Sequence, residues 1–247
     1  GAIAHQAGNN DVAVDLIRQA LSINPDYAEA HSNLGLALQA LGQTDKAIER
    51  YRAAISLKPD LAEAHNNLGV VLRDIGKLED AVTNFRKSLT INPEYADALG
   101  NLGIALRDLG KPEDALTNHR KALTIKPDSA EAHNNLGLAL QDLGKTEEAI
   151  ESYDRALAIK PELVETHYNL GNAFRKLGKF DQAQARYLEA LRLKPDYTEV
   201  HYDLGNLLWD FGKSDEAEAS FQQALRLKPD YAEAHNNLGN IFWALGK

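Results

Sequence analysis

The chain contains no cysteine and no methionine. Without thiols there can be no disulfide, no thiolate nucleophile and no zinc–thiolate site. Cysteine absence does not identify a compartment, so localisation stays open, with the cytoplasm only as a default. The missing initial methionine points to a piece of a longer chain, so the lack of a targeting segment carries no weight. Aromatic residues are few, at 7%. No apolar run approaches the roughly 20 residues of a membrane-spanning helix, so no membrane partner is expected. Basic residues are in deficit, 27 Lys and Arg against 36 Asp and Glu, for a net charge of −9. Nucleic acid, whose phosphates call for a basic face, is not an expected partner. Catalytic signatures are missing too: there is no G-x-S-x-G, no H-E-x-x-H and no dinucleotide fingerprint. Gly144-Lys145-Thr146 and Gly212-Lys213-Ser214 look like the end of a phosphate-binding loop. The upstream glycine it needs is Ala139 or Leu207, and a helix rather than a strand precedes each. No catalytic residue, metal ligand or cofactor is assigned, and the chain reads as a non-enzyme.

Proline is scarce, and both proline and glycine are strictly placed. Prolines 25, 59, 93, 127, 161, 195 and 229 recur every 34 residues, and Leu34 opens a row of leucines at the same interval. Of 17 glycines, all but Gly100 fall in two rows, one running from Gly1 through Gly35 and Gly69, the other from Gly8 through Gly42 and Gly76. The string AEAHNNLG occurs verbatim at 62–69, 130–137 and 232–239. A period near 34 identifies a stacked helical hairpin.

The unit 62–95 shows the logic. Pro59-Asp60 stops the preceding helix, and Asp60 with Glu63 three residues on has the form of a capping box. Ala64, Leu68, Val71, Leu72 and Ile75 have helical spacing, and Gly76 is expected as a left-handed terminator. A second helix is expected over about Leu78 to Ile91, burying Ala81, Val82, Phe85, Leu89 and Ile91. Gly69 sits mid-helix, where glycine costs about 1 kcal/mol against alanine. Close approach opposite the small Ala81 row is the expected reason. Pro112, the one proline off register, falls at the start of a second helix, where a missing N–H is harmless.

His31-x-x-Leu34-Gly35-x-x-Leu38, then Ala47-x-x-x-Tyr51, then Pro59 resembles the tetratricopeptide repeat, with His where that family often has Trp. The resemblance covers the whole chain as a single array: a partial unit at 1–27, full units at 28–61, 62–95, 96–129, 130–163, 164–197 and 198–231, and a lone first helix at 232–247. It implies an all-α fold, a right-handed superhelical solenoid of antiparallel helix pairs.

Four rows of polar residues call for an explanation. The histidines 31, 65, 133, 167, 201 and 235 cannot share metal ions, because equivalent residues on packed helices lie roughly 8–10 Å apart while zinc ligands must all lie ~2 Å from one ion. They are expected to be semi-buried, each with one hydrogen bond. The unit without this histidine carries Leu99, and has His119 where others have Tyr51, Phe85, Tyr153, Tyr187 or Phe221. That exchange suggests a packing partnership inside the hairpin. Glu29, Glu63, Asp97, Glu131, Glu165, Glu199 and Glu233 lie in first turns, where carboxylates suit the helix dipole. The same row disfavours the lysine clamp by which chaperone-binding relatives of such arrays grip a C-terminal carboxylate. The adjoining row, Ser32, Asn66, Gly100, Asn134, Tyr168, Tyr202 and Asn236, cannot supply one either.

The fourth row is Asn33, Asn67, Asn101, Asn135, Asn169 and Asn237, interrupted by Asp203. Helix propensity does not explain it. It is expected to line the concave groove, where each amide offers donors and an acceptor matched to a peptide unit. At roughly 8–10 Å per repeat, one Asn meets an extended peptide about every third residue. The alternative is an inter-repeat ladder without a ligand. A similar asparagine ladder lines the repeat arm of peptide O-linked N-acetylglucosamine transferases, which the array resembles. Further inner positions are Gln39, Arg73, Arg107, Gln141 and Arg175, giving way to Trp209 and Trp243. The row Leu36, Val70, Ile104 and Leu138 gives way to Asn172, Asn206 and Asn240. With Tyr168 and Tyr202, the C-terminal half should present an aromatic, amide-rich surface suited to a partner.

The expected function is therefore a non-catalytic scaffold binding a protein or an extended peptide segment. Two alternatives stand beside it: the substrate-recognition arm of a larger enzyme such as an O-linked glycosyltransferase, and a self-assembling structural array. Head-to-tail self-association is expected through uncapped ends, at Leu238, Ile241, Phe242 and Leu245 on one side and Ile3 and Ala4 on the other.

Overall fold

The computed structural model describes residues 9–246. Gly1, Ile3, Ala4 and Gly8 lie outside the described residues, and with them the expected N-terminal half of the end-to-end contact. The chain divides into two compact units, 1–127 and 128–247.

All regular structure among the described residues is helical. The first unit contains α1 (Asn10–Ile23), α2 (Ala28–Ala40), α3 (Thr44–Leu57), α4 (Ala62–Asp74), α5 (Leu78–Ile91), α6 (Ala96–Asp108) and α7 (Pro112–Ile125). The second contains α8 (Ala130–Asp142), α9 (Thr146–Ile159), α10 (Val164–Lys176), α11 (Phe180–Leu193), α12 (Thr198–Asp210), α13 (Ser214–Leu227) and α14 (Ala232–Ala244). Within the first unit α2 packs on α3, α4 on α5 and α6 on α7, while α1, α3 and α5 each pack on the first helix of the next hairpin. The second unit repeats this, with α8–α9, α10–α11 and α12–α13 as hairpins and α14 against α13.

The hairpin turn follows from one glycine. Gly76 has φ +78°, and its N–H bonds to Arg73 O while Lys77 N–H bonds to Leu72 O at 2.8 Å. That Schellman pair satisfies the last carbonyls of α4 and reverses the chain. Pro112 occupies the opening turn of α7 as expected.

The helix starts differ from expectation. The residue preceding α4 is Leu61, not Asp60, and no side chain caps it. Pro59 and Asp60 are consumed in a turn closed by Leu61 N–H on Lys58 O. Among the described helices only Asn9 and Ser129 cap with a side chain.

The core is built of small and ring-bearing rows. Ala81 and its equivalents in the other second helices are fully buried, as are Tyr51, Phe85, His119, Tyr153, Tyr187 and Phe221. These rings, rather than the alanines, explain the mid-helix glycine. A Cβ on Gly69 would fall 2.6 Å from Phe85 Cε1, and one on Gly35 equally close to Tyr51 Cε1. Ile75 and Ile91 are exposed because they stand at helix ends, and Leu89 is half-buried. Ser88 takes the buried place instead and donates to Ala62 O at 2.8 Å.

Candidate functional site

The first helices carry the candidate residues, and helical spacing sets them apart from the core. In α4, Ala64, Leu68, Val71 and Leu72 are buried, while Asn67, Val70 and Arg73 form a half-exposed flank. In the first unit Asn33 is exposed, and Asn67, Asn101, Arg73 and Arg107 are half-buried. In the second unit Asn135, Asn169, Asp203, Asn237, Arg175, Tyr168, Tyr202 and Trp209 are half-buried, and Trp243 is 86% exposed.

The expected freedom of the asparagine row is therefore reduced, for a definite reason. Asn101 Nδ2 donates to Asn66 Oδ1 of the preceding hairpin at 3.0 Å, and Asn169 Nδ2 to Asn134 Oδ1 at 3.1 Å. At the same register Tyr168 donates its hydroxyl to Asp203 at 2.8 Å, and Asn237 Nδ2 reaches Tyr202 and Asn206. A ladder of bonds thus links successive first helices within each unit. One rung is open in the first unit: Ser32 Oγ and Asn67 Nδ2 are buried without a partner among the described residues. The side chains of Asn33 and Asn135 make no hydrogen bond among the described residues.

The inner arginines and amides are likewise engaged. Arg73 donates to Asp74 at 3.0 Å, and Arg175 to Asp203 at 3.2 Å. Tyr51 donates to Gln39 at 3.0 Å, Tyr153 to Gln141, and Tyr187 to Asn172 at 2.6 Å. Asn172 and Asn206 thus serve bonds inside the fold, while Asn240 is exposed. Burial, with Asp203's charge nearby, holds the Tyr168 and Tyr187 hydroxyls well above the ordinary tyrosine range, so both remain donors. Tyr231 is pushed up to about 12, chiefly by burial. Tyr202 stacks against Tyr231 at 4.8 Å and Tyr168 against Tyr197 at 5.4 Å, which makes the aromatic group of this unit a packed cluster.

The histidine row has a specific task. His31, His65, His167, His201 and His235 each donate Nε2–H to the carbonyl of the proline six residues earlier, at 2.8–3.1 Å. His31, His65, His133 and His167 are buried, while His201 is half-buried and His235 exposed. Among the described residues no group of three or more His, Asp or Glu could hold a metal ion. Leu99 is buried at the position of the missing histidine, and His119 stands against Gly103 as the rings of other units stand against their glycines.

The acidic row also has partners that its first-turn position did not reveal. Lys58 pairs with Glu29 at 2.7 Å, Lys126 with Asp97 at 2.7 Å and Lys160 with Glu131 at 3.3 Å. Lys58 and Glu29's own backbone N–H hold that carboxyl below its ordinary range. For Glu131 the backbone N–H is the larger cause, with Lys160 adding to it. Each lysine precedes a repeat proline, so the pair ties the end of a hairpin to its beginning. At the chain's C-terminal side Ile241 is fully buried, contrary to expectation, as are Val71 and Leu207 at the same repeat position. Leu238 and Phe242 are half-buried, and Trp243 and Leu245 are the exposed apolar groups.

No helix among the described residues is long and apolar enough to cross a membrane. Tetratricopeptide-repeat family profiles match residues 60–128, 95–162 and 128–196, with further matches at 1–42, 39–73 and 202–247. No curated protein matches the sequence. Among solved structures, a chain of the Cut9–Hcn1 hetero-tetramer of APC/C superposes with a TM-score of 0.85 at 17% identity. The match covers 97% of this chain and 47% of that one, so this chain spans about half of its length. MamA is 28% identical over 67% of this chain and 97% of its own, with a TM-score of 0.60. YrrB, described as a repeat protein with an unusual peptide-binding site, is 23% identical over 74% of this chain and 95% of its own, also at 0.60.

Proposed function

The chain belongs to the tetratricopeptide repeat family, and we propose from that premise that it is a non-catalytic scaffold holding extended protein segments along the first-helix flank. The observation that carries this reading is the orientation of the row amides. Asn101 and Asn169 tether their NH2 groups to the preceding hairpin, and the carbonyl oxygens Oδ1 make no bond among the described residues. Each is a fixed acceptor for a backbone N–H, a group that every peptide except at proline supplies. Recognition through it is sequence-tolerant. Asn33 offers both donor and acceptor, whereas Asp203 is closed by Tyr168 and Arg175.

The ladder modifies the test. Removing Asn101 would strand Asn66 Oδ1, on a residue only 5% exposed, at a cost of about 1–3 kcal/mol. Asn33→Ala with Asn135→Ala avoids that cost. Fluorescence polarisation with a panel of unrelated unstructured peptides should show the double variant weakened against all of them, with an unchanged melting temperature. Loss of one ligand alone would argue for side-chain recognition and against this reading. The same row supports a second reading, the recognition arm of a larger O-linked glycosyltransferase, and a nucleotide-sugar-binding domain in the full-length reading frame would decide for it.

A further inference from the structure

Helix α3 departs from the array's own pattern at two positions. The third residue of the second helix is Asp80, Asp114, Glu148, Gln182 or Glu216 from α5 to α13, but it is Lys46 in α3. A cation in a first turn opposes the helix dipole. Four residues on, Asn84, Asn118, Ser152 and Ser220 bond back to the carbonyl one turn earlier at 2.8–3.0 Å. Here α3 has Arg50 and α11 has Arg186. Arg186 meets Asp154 of the preceding second helix at 3.9 Å. The residue that stands to Arg50 as Asp154 stands to Arg186 is Arg18. Two guanidinium groups therefore face one site, where the α9–α11 pair sets a guanidinium against a carboxylate and α5, α7 and α13 place a neutral Asn or Ser at the Arg50 position.

Counter-ions are outnumbered here. Arg50 makes no ion pair among the described residues, Arg18 reaches only Asp15 of its own helix at 3.9 Å, and Lys46 bonds to the neutral Gln43. All three line a cavity of about 650 Å³ bounded by α1, α2 and α3, with Glu49 as the one carboxylate in its wall. The lining carries two positive charges in excess on a chain of net charge −9. His31, 9% exposed, also lines it, with Nε2 on Pro25 O and Nδ1 without a partner. In the next hairpin Asn84 Oδ1 covers the equivalent atom of His65 at 3.3 Å, and Arg50 leaves it open. At about 100° per residue Asn33 lies on the opposite side of α2, so the cavity is separate from the amide row.

We propose that this cavity binds a phosphomonoester group. Two planar guanidinium forks and an ammonium match the several oxygens of a phosphate, and the charge excess matches a dianion. The volume leaves room for the side chain that carries it, while the negative charge of the rest of the chain repels long polyanions.

Isothermal titration of the chain with an uncharged peptide bearing one phosphoserine tests this, beside the same peptide with Ser or Glu there, and beside inorganic phosphate. The phosphopeptide is expected to bind at least about tenfold tighter than either control, and more weakly as salt rises. Lys46→Glu and Arg50→Ser install residues the array uses at those positions, and Arg18→Asp recreates the Asp154–Arg186 pairing. Each should lower affinity at least about tenfold with melting temperature retained. Arg52→Ser, which removes a nearby exposed charge outside the cavity, should not. Equal binding of inorganic phosphate would support the site with the free anion as its source. No binding, equal binding of a control peptide, or affinity unchanged by the three cavity substitutions would overturn the proposal.

Discussion

His119 provides the sharpest test of how the array is packed. It is fully buried, both ring nitrogens lack partners, and its ring presses on Gly103 where Phe85 presses on Gly69. Burial, helped by the nearby Arg107 charge, pushes its pKa down to about 4 from 6.5. In the folded chain His119 therefore stays neutral down to about pH 4, while the unfolded chain takes up a proton at about pH 6.5. Above that pH the contribution to stability is complete. Below it the unfolded state binds the extra proton, and stability falls by about 1.4 kcal/mol per pH unit until the folded state also protonates. The loss totals about 3 kcal/mol. His119→Phe keeps a ring the array already uses, removes the titration and removes two stranded nitrogens, which cost roughly 1–3 kcal/mol when buried without partners. Thermal melts of both chains, followed by circular dichroism from pH 7.5 to pH 4.5, should show the variant more stable throughout. The gap should widen by roughly 5–10 °C towards the acid end. The carboxylates are common to both chains and cancel in the difference. Parallel curves, or a variant less stable at pH 7.5, would refute the reasoning.

Two further outcomes follow from the packing. Gly69→Ala should destabilise by about 1–3 kcal/mol, since its Cβ meets the rigid Phe85 ring, whereas Gly100→Ala should stabilise by up to about 1 kcal/mol, with nothing within 4 Å; similar melts for the two would remove the ring as the reason for the glycine row. Trp243, 86% exposed, with Leu245 at 42%, is expected to drive concentration-dependent association, seen by sedimentation and lost in Trp243→Gln; a chain that stays monomeric at high concentration would count against a self-assembling array.

Periodicity made much of the fold legible. The 34-residue spacing of proline, glycine and leucine defined the hairpins, and α5 runs from Leu78 to Ile91 as the pattern indicates. What it could not supply was the identity of partners. The proline and histidine rows were both plain in the sequence, yet a recurring position does not tell which atom its side chain reaches. Only folding brings His65 Nε2 onto the Pro59 carbonyl, or Lys58 across 29 residues to Glu29. The sequence points the glycine row to close approach, but to the alanines rather than to the rings, because a contact between helices depends on the rotation of each about its axis. The asparagine row by itself poses a choice between binding and a ladder. The structure makes the ladder at Asn101 and Asn169 while leaving Oδ1 free, so one residue can hold both roles.

A repeat also supplies its own standard of comparison, and departures from it are more informative than agreements. Each hairpin faces nearly the same neighbours, so a residue type kept along the row answers the needs of the stack. A residue that breaks the row must be accommodated locally or act locally. Leu99 and His119 break two rows in one unit, and the structure accommodates them as a buried apolar side chain and a buried ring. Asp203 breaks the asparagine row and is met by Tyr168 and Arg175. Lys46 and Arg50 break two rows in another unit, and neither has an ion-pair partner among the described residues, Glu49 being the one carboxylate in the wall they share. Charges without counter-ions around a cavity are stabilised by what comes to occupy it, which is why α3, rather than the more regular helices, carries the strongest indication of a second ligand.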